Sequence, residues 1–154
     1  MAKFWTGFSG FATTTSNQTA MKIIGAASKS LECVEVAGYG AGATAPADVE
    51  HNFNAGFLSN AGAGTAGVSP TPEPLYQGSA VSGLTAGTKY SAEPTTYNTN
   101  VFTLFSFNQR GGMRWGVTRG EGYQTQGALT GLSFGVRVIS SVAGAVDGNC
   151  FWWE

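Results

Sequence analysis

Two apolar runs separated by a short polar segment are the clearest pattern in the chain. From residue 101 to residue 107, apolar side chains occupy both alternating faces, which is typical of a strand packed inside a sandwich. From Met113 to Thr118, apolar residues alternate with polar or small ones, so one face is expected to be buried. The segment between the runs ends in Gly111 and Gly112, and glycine adopts the positive φ angles that hairpin loops use. The pattern predicts a central antiparallel hairpin.

Shorter runs rich in apolar residues predict further strands on both sides of this hairpin, and the run from 131 to 139 also has the two-residue period. They cover residues 20–25, 30–37, 49–53, 131–139 and 149–154. Asp147 followed by Gly148 is typical of a turn. Alternating prolines at 70–74 cannot lie in a central strand. The loop from 60 to 73 is therefore expected to cross from one sheet to the other, or over a neighbouring subunit.

The composition agrees with an all-β fold. Hydrophobic residues make up 42% of the 154 residues, enough for a single core. The 23 glycines are roughly twice the usual share of about 7%, which suits many short strands and turns. We expect one domain covering residues 1–154, an antiparallel β-sandwich of about eight strands. Jelly-roll topology is the leading arrangement, although periodicity does not reveal strand order.

The low charge of the chain limits its partners. Charged residues are 11% of the sequence, against about 25% in an ordinary soluble domain, so little repulsion keeps copies or a partner apart. This suits a protein in an assembly and also a secreted β-domain. A net charge of −1 gives no argument for nucleic acid or an anionic membrane as partner. No apolar run is long enough for a signal peptide or a membrane span.

Aromatic residues are concentrated at the start of the chain. Phe4, Trp5, Phe8 and Phe11 follow one another without a clear period. They are candidate partner-binding residues in a predicted docking arm, residues 1–19. The alternative, which has about equal weight, is that they pack on the sheet of their own domain.

Two arginines and two tryptophans complete the candidate partner-binding residues. Arg110 and Arg114 flank the tip of the predicted hairpin, where they could bind carboxylates of a partner. Pairing within the fold, with Glu93 or Glu121, is the equal alternative. Adjacent residues of a strand point to opposite faces, so Trp152 and Trp153 cannot both lie in one core. One of them is expected at an edge or an interface, where Trp is enriched.

No group of residues predicts catalysis, a metal or a cofactor. His51 is the only histidine and has no partners at metal-ligand spacing, so it is expected in a loop or at the surface. Cys33 and Cys150 are expected to be free thiols rather than a disulfide, because nothing indicates export. Neither a nucleophile elbow nor a phosphate-binding loop is present in the sequence. We therefore expect a protein that is not an enzyme and that carries no cofactor.

Several motifs after residue 20 together resemble small virion proteins of tailed bacteriophages, of the capsid decoration or cement type. The motifs are Pro70-Thr71-Pro72, Ala92-Glu93-Pro94-Thr95, Phe107-Asn108-Gln109-Arg110-Gly111, Arg114-Trp115, Gly120-Glu121, Gly131 to Arg137, and the aromatic segment ending in Glu154. None of these motifs is a catalytic signature. The aromatic residues from Phe4 to Phe11 and the Trp152-Trp153 pair depart from the pattern of the family.

The resemblance implies a jelly-roll-like domain on the outer surface of a phage capsid, synthesised in the host cytoplasm. It implies binding to the major capsid protein, stabilisation of contacts between its subunits, and a homo-oligomer, with a trimer favoured over a dimer. The alternative function is a carbohydrate- or receptor-binding β-sandwich, such as a head fibre or lectin-like module, which predicts exposed aromatic residues along a platform or groove. A third alternative, a small β-sandwich hydrolase, requires a pocket with two carboxylates, or His51 with a carboxylate and a metal.

Overall fold

The computed structural model describes residues 2–26, 29–41, 48–59, 64–95, 97, 102–125 and 132–154. These residues form eleven β-strands and no helix. The strands are β1 (Lys3–Thr13), β2 (Gln18–Ile24), β3 (Leu31–Gly40), β4 (Glu50–Ser59), β5 (Glu73–Pro74), β6 (Thr85–Thr88), β7 (Phe102–Asn108), β8 (Gly112–Gly116), β9 (Tyr123–Thr125), β10 (Leu132–Ser140) and β11 (Gly144–Trp153). The expected all-β class is confirmed, but the structure has eleven strands where about eight are expected. The three shortest are β5, β6 and β9, with two, four and three residues.

The strands form two antiparallel sheets that pack as a sandwich. Sheet A has the order β5-β1-β11-β3-β8, and β9 pairs with β3 beyond the end of β8. Sheet B has the order β6-β2-β10-β4-β7. Every pairing is antiparallel, and most neighbours in a sheet are distant in sequence. Period-two alternation therefore places one face of each sheet in the common core.

Aromatic rings packed against glycines fill this core. Phe53 of β4 and Phe107 of β7 lie over Gly38 of β3, where an added Cβ would come within 2.7 Å and 2.9 Å of their ring atoms. Phe8 covers Gly148 in the same way, on the adjacent strand of sheet A. Glycine is required at Gly38 because any side chain there would push the rings of Phe53 and Phe107, and with them sheet B, away from sheet A. At Gly148 a side chain would displace the ring of Phe8 within sheet A.

The predicted central hairpin is wrong, although its two strands exist. β7 pairs with β4 in sheet B, whereas β8 pairs with β3 in sheet A, so the turn at 109–111 crosses between the sheets. Both are edge strands. In β7 only Phe105 and Phe107 are buried, and Met113 in β8 is exposed. The alternation indicated two strands, but it carries no information about which strand each one pairs with. Val101 lies outside the described residues.

The predicted docking arm is also wrong for residues 3–13, which form β1 inside sheet A between β5 and β11. Phe4, Phe8 and Phe11 are buried in the core, and Phe4 stacks on Trp152 with ring centroids 6.2 Å apart. The alternative interpretation, in which these aromatic residues pack on the sheet of their own domain, is therefore the correct one for Phe4, Phe8 and Phe11. A β-bulge between Phe8 and Phe11 interrupts the alternation and explains why no period was visible in the sequence.

Two loop predictions have opposite outcomes. The predicted turn at Asp147-Gly148 is wrong, because both residues lie within β11 and Gly148 is buried under Phe8. The predicted crossing between sheets is found: Val68 pairs with Thr88 beside sheet B, residues 73–74 form β5 on sheet A, and β6 returns to sheet B. Residues 60–63 of that loop lie outside the described residues.

Cys33 and Cys150 are both free and buried, and their Sγ atoms are 3.3 Å apart on the neighbouring strands β3 and β11. In β3, Val34 is an extra residue without a partner in β11. This bulge lets Cys33 and Val36 both reach the core, where neither is exposed. Burial, together with the adjacent Cys33 thiol, raises the pKa of Cys150 well above its ordinary value.

We predict that Phe4→Ala destabilises the protein far more than Trp5→Ala. Phe4 is 2% exposed and faces the core, whereas its neighbour Trp5 is 38% exposed on the outer face. Phe4→Ala should cost about 3–5 kcal/mol of unfolding free energy in urea titrations, and Trp5→Ala about 1 kcal/mol or less. Equal losses would show that β1 is not part of the core.

We also predict that neither thiol reacts with an aromatic disulfide reagent at pH 8 while the protein is folded, because neither cysteine is exposed to the reagent. Burial also disfavours the reactive thiolate of Cys150. The same titration in concentrated guanidinium chloride should release two thiols per chain, the full cysteine content. One rapidly reacting thiol in the native protein, or none after unfolding, would contradict this arrangement.

Candidate functional site

The structure divides the eight candidate partner-binding residues into two groups. Four are core residues and unavailable to a partner of the folded chain: Phe4, Phe8, Phe11 and Trp152. Four reach the surface: Trp5, Arg110, Arg114 and Trp153. Trp152 faces inward and its neighbour Trp153 faces outward, which agrees with the expectation that only one of them can occupy the core.

Both arginines have carboxylate partners within the fold, but not the expected ones. Arg114 lies 3.0 Å from Glu35, and Arg110 Nε lies 3.4 Å from Asp48. Glu93 instead accepts hydrogen bonds from the backbone and side chain of Thr19. The pair of Arg110 with Asp48 is exposed on both sides and contributes little to stability, since solvent screens it. In the other pair the Arg114 side chain is exposed, whereas the Glu35 side chain is only 12% exposed. The arginines therefore remain accessible charges rather than parts of a buried network.

The outer face of sheet A carries an open groove of about 450 Å³ that the sequence did not indicate. We call it the aromatic groove and define it by Trp5, Gly7, Tyr39, Glu73, Asp147 and Asn149. Its arrangement follows from strand register. Trp5 lies opposite Glu73 on one side, Gly7 lies opposite Asn149, and Asp147 lies opposite Tyr39. Gly7 and Asn149 form a middle row of residues across the strands, and this row is low. A trough therefore runs between the row that contains Trp5 and the row that contains Tyr39.

Two aromatic side chains rise beside this trough. Trp5 is 38% exposed and stacks on Phe151, with ring centroids 6.4 Å apart. Tyr39 is 46% exposed. Their rows are four residues apart along β11, which is about 13 Å at the usual rise of a strand. The floor at Gly7 is kept low because an added Cβ would lie 3.0 Å from the carbonyl oxygen of Gly148.

Polar groups line the same trough. The amide of Gly10 donates a 2.6 Å hydrogen bond to Asp147 Oδ1, which fixes the carboxylate. The β-bulge between Phe8 and Phe11 places two residues of β1, Ser9 and Gly10, opposite Asp147. This bulge turns the amide of Gly10 toward the Asp147 carboxylate. Asn149 Oδ1 is out of contact with solvent and has no hydrogen-bond partner among the described residues. Glu73 and Asp147 place two carboxylates along one groove, the arrangement that the hydrolase alternative requires.

A second surface feature projects from the edge of sheet A. We call residues 75–82 the edge loop. It exposes Leu75, Tyr76 and Val81, and Tyr76 is 59% exposed. Residues 74–88 include no charged side chain. A turn closed by a 3.1 Å hydrogen bond from Ser79 N to Tyr76 O forms its tip, with Gly78 at a φ of 84°.

The edge loop is held at both ends. Leu75 N donates to Lys3 O at 2.9 Å, next to the pairing of β5 with β1. At the other end, Glu154 accepts hydrogen bonds from Ser82 Oγ at 2.6 Å and Gly83 N at 2.9 Å, and pairs with Lys29 at 2.8 Å. Burial alone would raise the pKa of Glu154, but these donors outweigh it and lower the pKa. The apolar tip is thus presented on a fixed base.

His51 does not lie in a loop or at the surface, as expected, but is fully buried in β4. Its Nδ1 is 2.7 Å from Ser140 Oγ and its ring lies 5.5 Å from that of Phe107. Burial lowers the pKa of His51, so the neutral imidazole is the form that fits this site. Within the described ranges, no three side chains of His, Cys, Asp and Glu are grouped to hold a metal.

Comparisons with known proteins add little to this geometry. No protein-family model and no curated protein matches the chain. Among solved structures, the VP2 subviral particle of infectious bursal disease virus aligns at 15% identity with a TM-score of 0.14, over 98% of this chain and 38% of that chain. This similarity is too low to carry an argument. In the part of the chain that the structure describes, no helix is long and apolar enough to cross a membrane.

We predict that Gly10→Ala destabilises the protein by about 1–2 kcal/mol, the usual cost of a left-handed residue with a side chain. Gly10 has a φ of 59° and no atom within 4 Å of an added Cβ, so backbone strain is the sole source of the loss. Gly111→Ala is the control, since that residue lacks a positive φ and its added Cβ makes only an ordinary contact. A loss in urea titrations no larger than that of Gly111→Ala would show that the bulge tolerates a side chain.

Proposed function

We propose that this protein is a capsid decoration protein, a non-enzymatic virion protein that binds the outer surface of a tailed-phage head. In this proposal it stabilises contacts between subunits of the major capsid protein. The observation that carries the proposal is the edge loop, because it is an uncharged, apolar projection on a fixed base. It adds to the motifs between residues 70 and 154 that resemble this family.

We further propose that the sandwich is a jelly roll. When the short strands β5, β6 and β9 are set aside, the eight longer strands can be numbered in chain order. Sheet A then reads 1-8-3-6 and sheet B reads 2-7-4-5. This strand order supports the proposal of a jelly roll, an architecture that occurs in viral capsid and lectin domains. A jelly-roll fold is compatible with a capsid decoration protein and with the alternative lectin-like module.

The edge loop has the chemistry expected of a docking surface. Leu75, Tyr76 and Val81 are exposed large apolar side chains within seven consecutive residues. Burial of such side chains is favourable, and aromatic residues supply much of the energy of protein interfaces. Because the ends of the loop are tied to Lys3 and Glu154, little conformational entropy is lost on docking.

Repetition over a shell makes modest contacts sufficient. Each copy needs to contribute only a small interface, because an oligomer that binds several capsid subunits gains avidity from every additional contact. We propose a homo-oligomer, with a trimer favoured over a dimer. The low charge of the chain leaves little repulsion between copies, or between a copy and the shell.

We predict that the purified protein co-sediments with phage heads that lack it, at a fixed ratio to the major capsid protein. The double variant Tyr76→Ala, Val81→Ser should bind at least about tenfold more weakly, since two exposed apolar side chains are lost at the contact. The bound and free fractions would be measured by quantitative gel analysis of pellets and supernatants.

The control is Tyr39→Ala, which removes an exposed tyrosine from the aromatic groove instead of the edge loop. It should bind the heads like the original protein. The absence of co-sedimentation would overturn the decoration function. Unchanged binding of the double variant, or an equal loss in the control, would overturn the assignment of the edge loop as the docking surface. Sedimentation velocity of the free protein would distinguish the trimer from the dimer.

A further inference from the structure

We propose that the aromatic groove is a binding site for a neutral oligosaccharide. The proposed decoration function does not require this site, and the groove is distinct from the edge loop. Trp5, Gly7, Tyr39, Glu73, Asp147 and Asn149 bring together the three kinds of group that such a ligand needs. These are exposed aromatic faces, fixed hydrogen-bonding groups, and an open floor on which a ring can lie.

The aromatic side chains are placed to receive sugar rings. Pyranose rings have apolar C–H faces, and these pack on the faces of Trp and Tyr while the hydroxyl groups point sideways. Trp5 is held by stacking on Phe151, so its exposed surface is already in position. Tyr39 lies about 13 Å farther along the strands, which leaves room for more than one ring. An elongated ligand therefore fits better than a single sugar.

The polar groups between these aromatics suit hydroxyl groups. A sugar hydroxyl both donates and accepts hydrogen bonds, and carboxylate and amide groups are suitable partners for it. The Asp147 carboxylate is held in one orientation by Gly10 N. Asn149 lies on the floor of the groove, but its amide oxygen is out of contact with solvent, so it is not an acceptor that a ligand in the open groove would reach. Glu73 supplies a second acceptor at the wall beside Trp5.

The charge of the groove selects among saccharides. Among the described residues that line it, two are carboxylates and none is lysine or arginine. An anionic ligand such as a sulfated or sialylated glycan would meet these two carboxylates with no cation among the lining residues, since Lys3 lies outside the lining, over the ring of Phe151. A neutral oligosaccharide is not repelled by these carboxylates, and its hydroxyl groups can donate hydrogen bonds to Glu73 and Asp147.

The test is a titration of the isotope-labelled full chain, followed by two-dimensional amide NMR. The probes are maltohexaose, cellohexaose, xylohexaose, mannohexaose and N-acetylchitohexaose, with a heparin-derived hexasaccharide as the anionic comparison. At least one neutral probe should shift the amides of Gly7, Tyr39 and Asn149. Trp5→Ala and Tyr39→Ala should each weaken that binding by about tenfold.

Tyr76→Ala is the matched control, because it removes a tyrosine of similar exposure from the edge loop and should leave binding unchanged. If Trp5→Ala folds poorly, the affinity of Tyr39→Ala for the saccharide alone tests whether the aromatic groove is the binding site. The proposal is overturned if no neutral probe binds, if only the heparin fragment binds, or if Tyr76→Ala weakens binding as much as Tyr39→Ala. Cleavage of the probe, detected by mass spectrometry, would also overturn it in favour of hydrolysis.

Discussion

Aromatic rings lying over glycines determine how closely the two sheets approach. Phe53 and Phe107 from sheet B occupy the space above Gly38 of sheet A, and Phe8 covers Gly148 within sheet A. A protein interior has nearly crystalline packing density, so a side chain at either glycine would have to displace a ring. At these two positions the glycine and the phenylalanines depend on each other, since the rings of Phe8, Phe53 and Phe107 occupy the space that a side chain would need.

The same close packing determines what the outer face can present. Because inward positions of β1 and β11 are filled by core residues such as Phe4 and Trp152, every second residue must face outward. The register of β1 with β11 aligns Trp5 with Phe151 and Gly7 with Asn149. The low row of Gly7 and Asn149 is the trough between the rows that contain Trp5 and Tyr39. The groove is a consequence of strand pairing, and the β-bulge at Gly10 adds the one backbone amide that orients Asp147. The edge loop arises separately, where the chain crosses from sheet B to sheet A and back.

Several elements were predictable because they depend only on local alternation. Alternation along the chain predicts β7, β8 and β10, and shorter apolar runs predict β2 and β3, all within a few residues of their ends. The failures have physical causes. A bulge removed the period from β1, so its aromatics looked like an arm, and Asp147-Gly148 looked like a turn because local propensity ignores the ring of Phe8 above Gly148. The burial of His51 is not visible in the sequence, because its contacts Phe107 and Ser140 lie on strands that pair with β4 but are far from it along the chain.

By itself, the sequence determined that this chain is all-β, that it has many strands and turns, and that its surface carries little charge. These properties follow from composition and from alternation along single strands, which are local. Only the tertiary structure decided which strands pair, and therefore that β7 and β8 belong to different sheets. It also decided that Trp5 and Tyr39, 34 positions apart in sequence, border one groove with Asp147 and Asn149. Such a site depends on long-range register, and no local pattern encodes register.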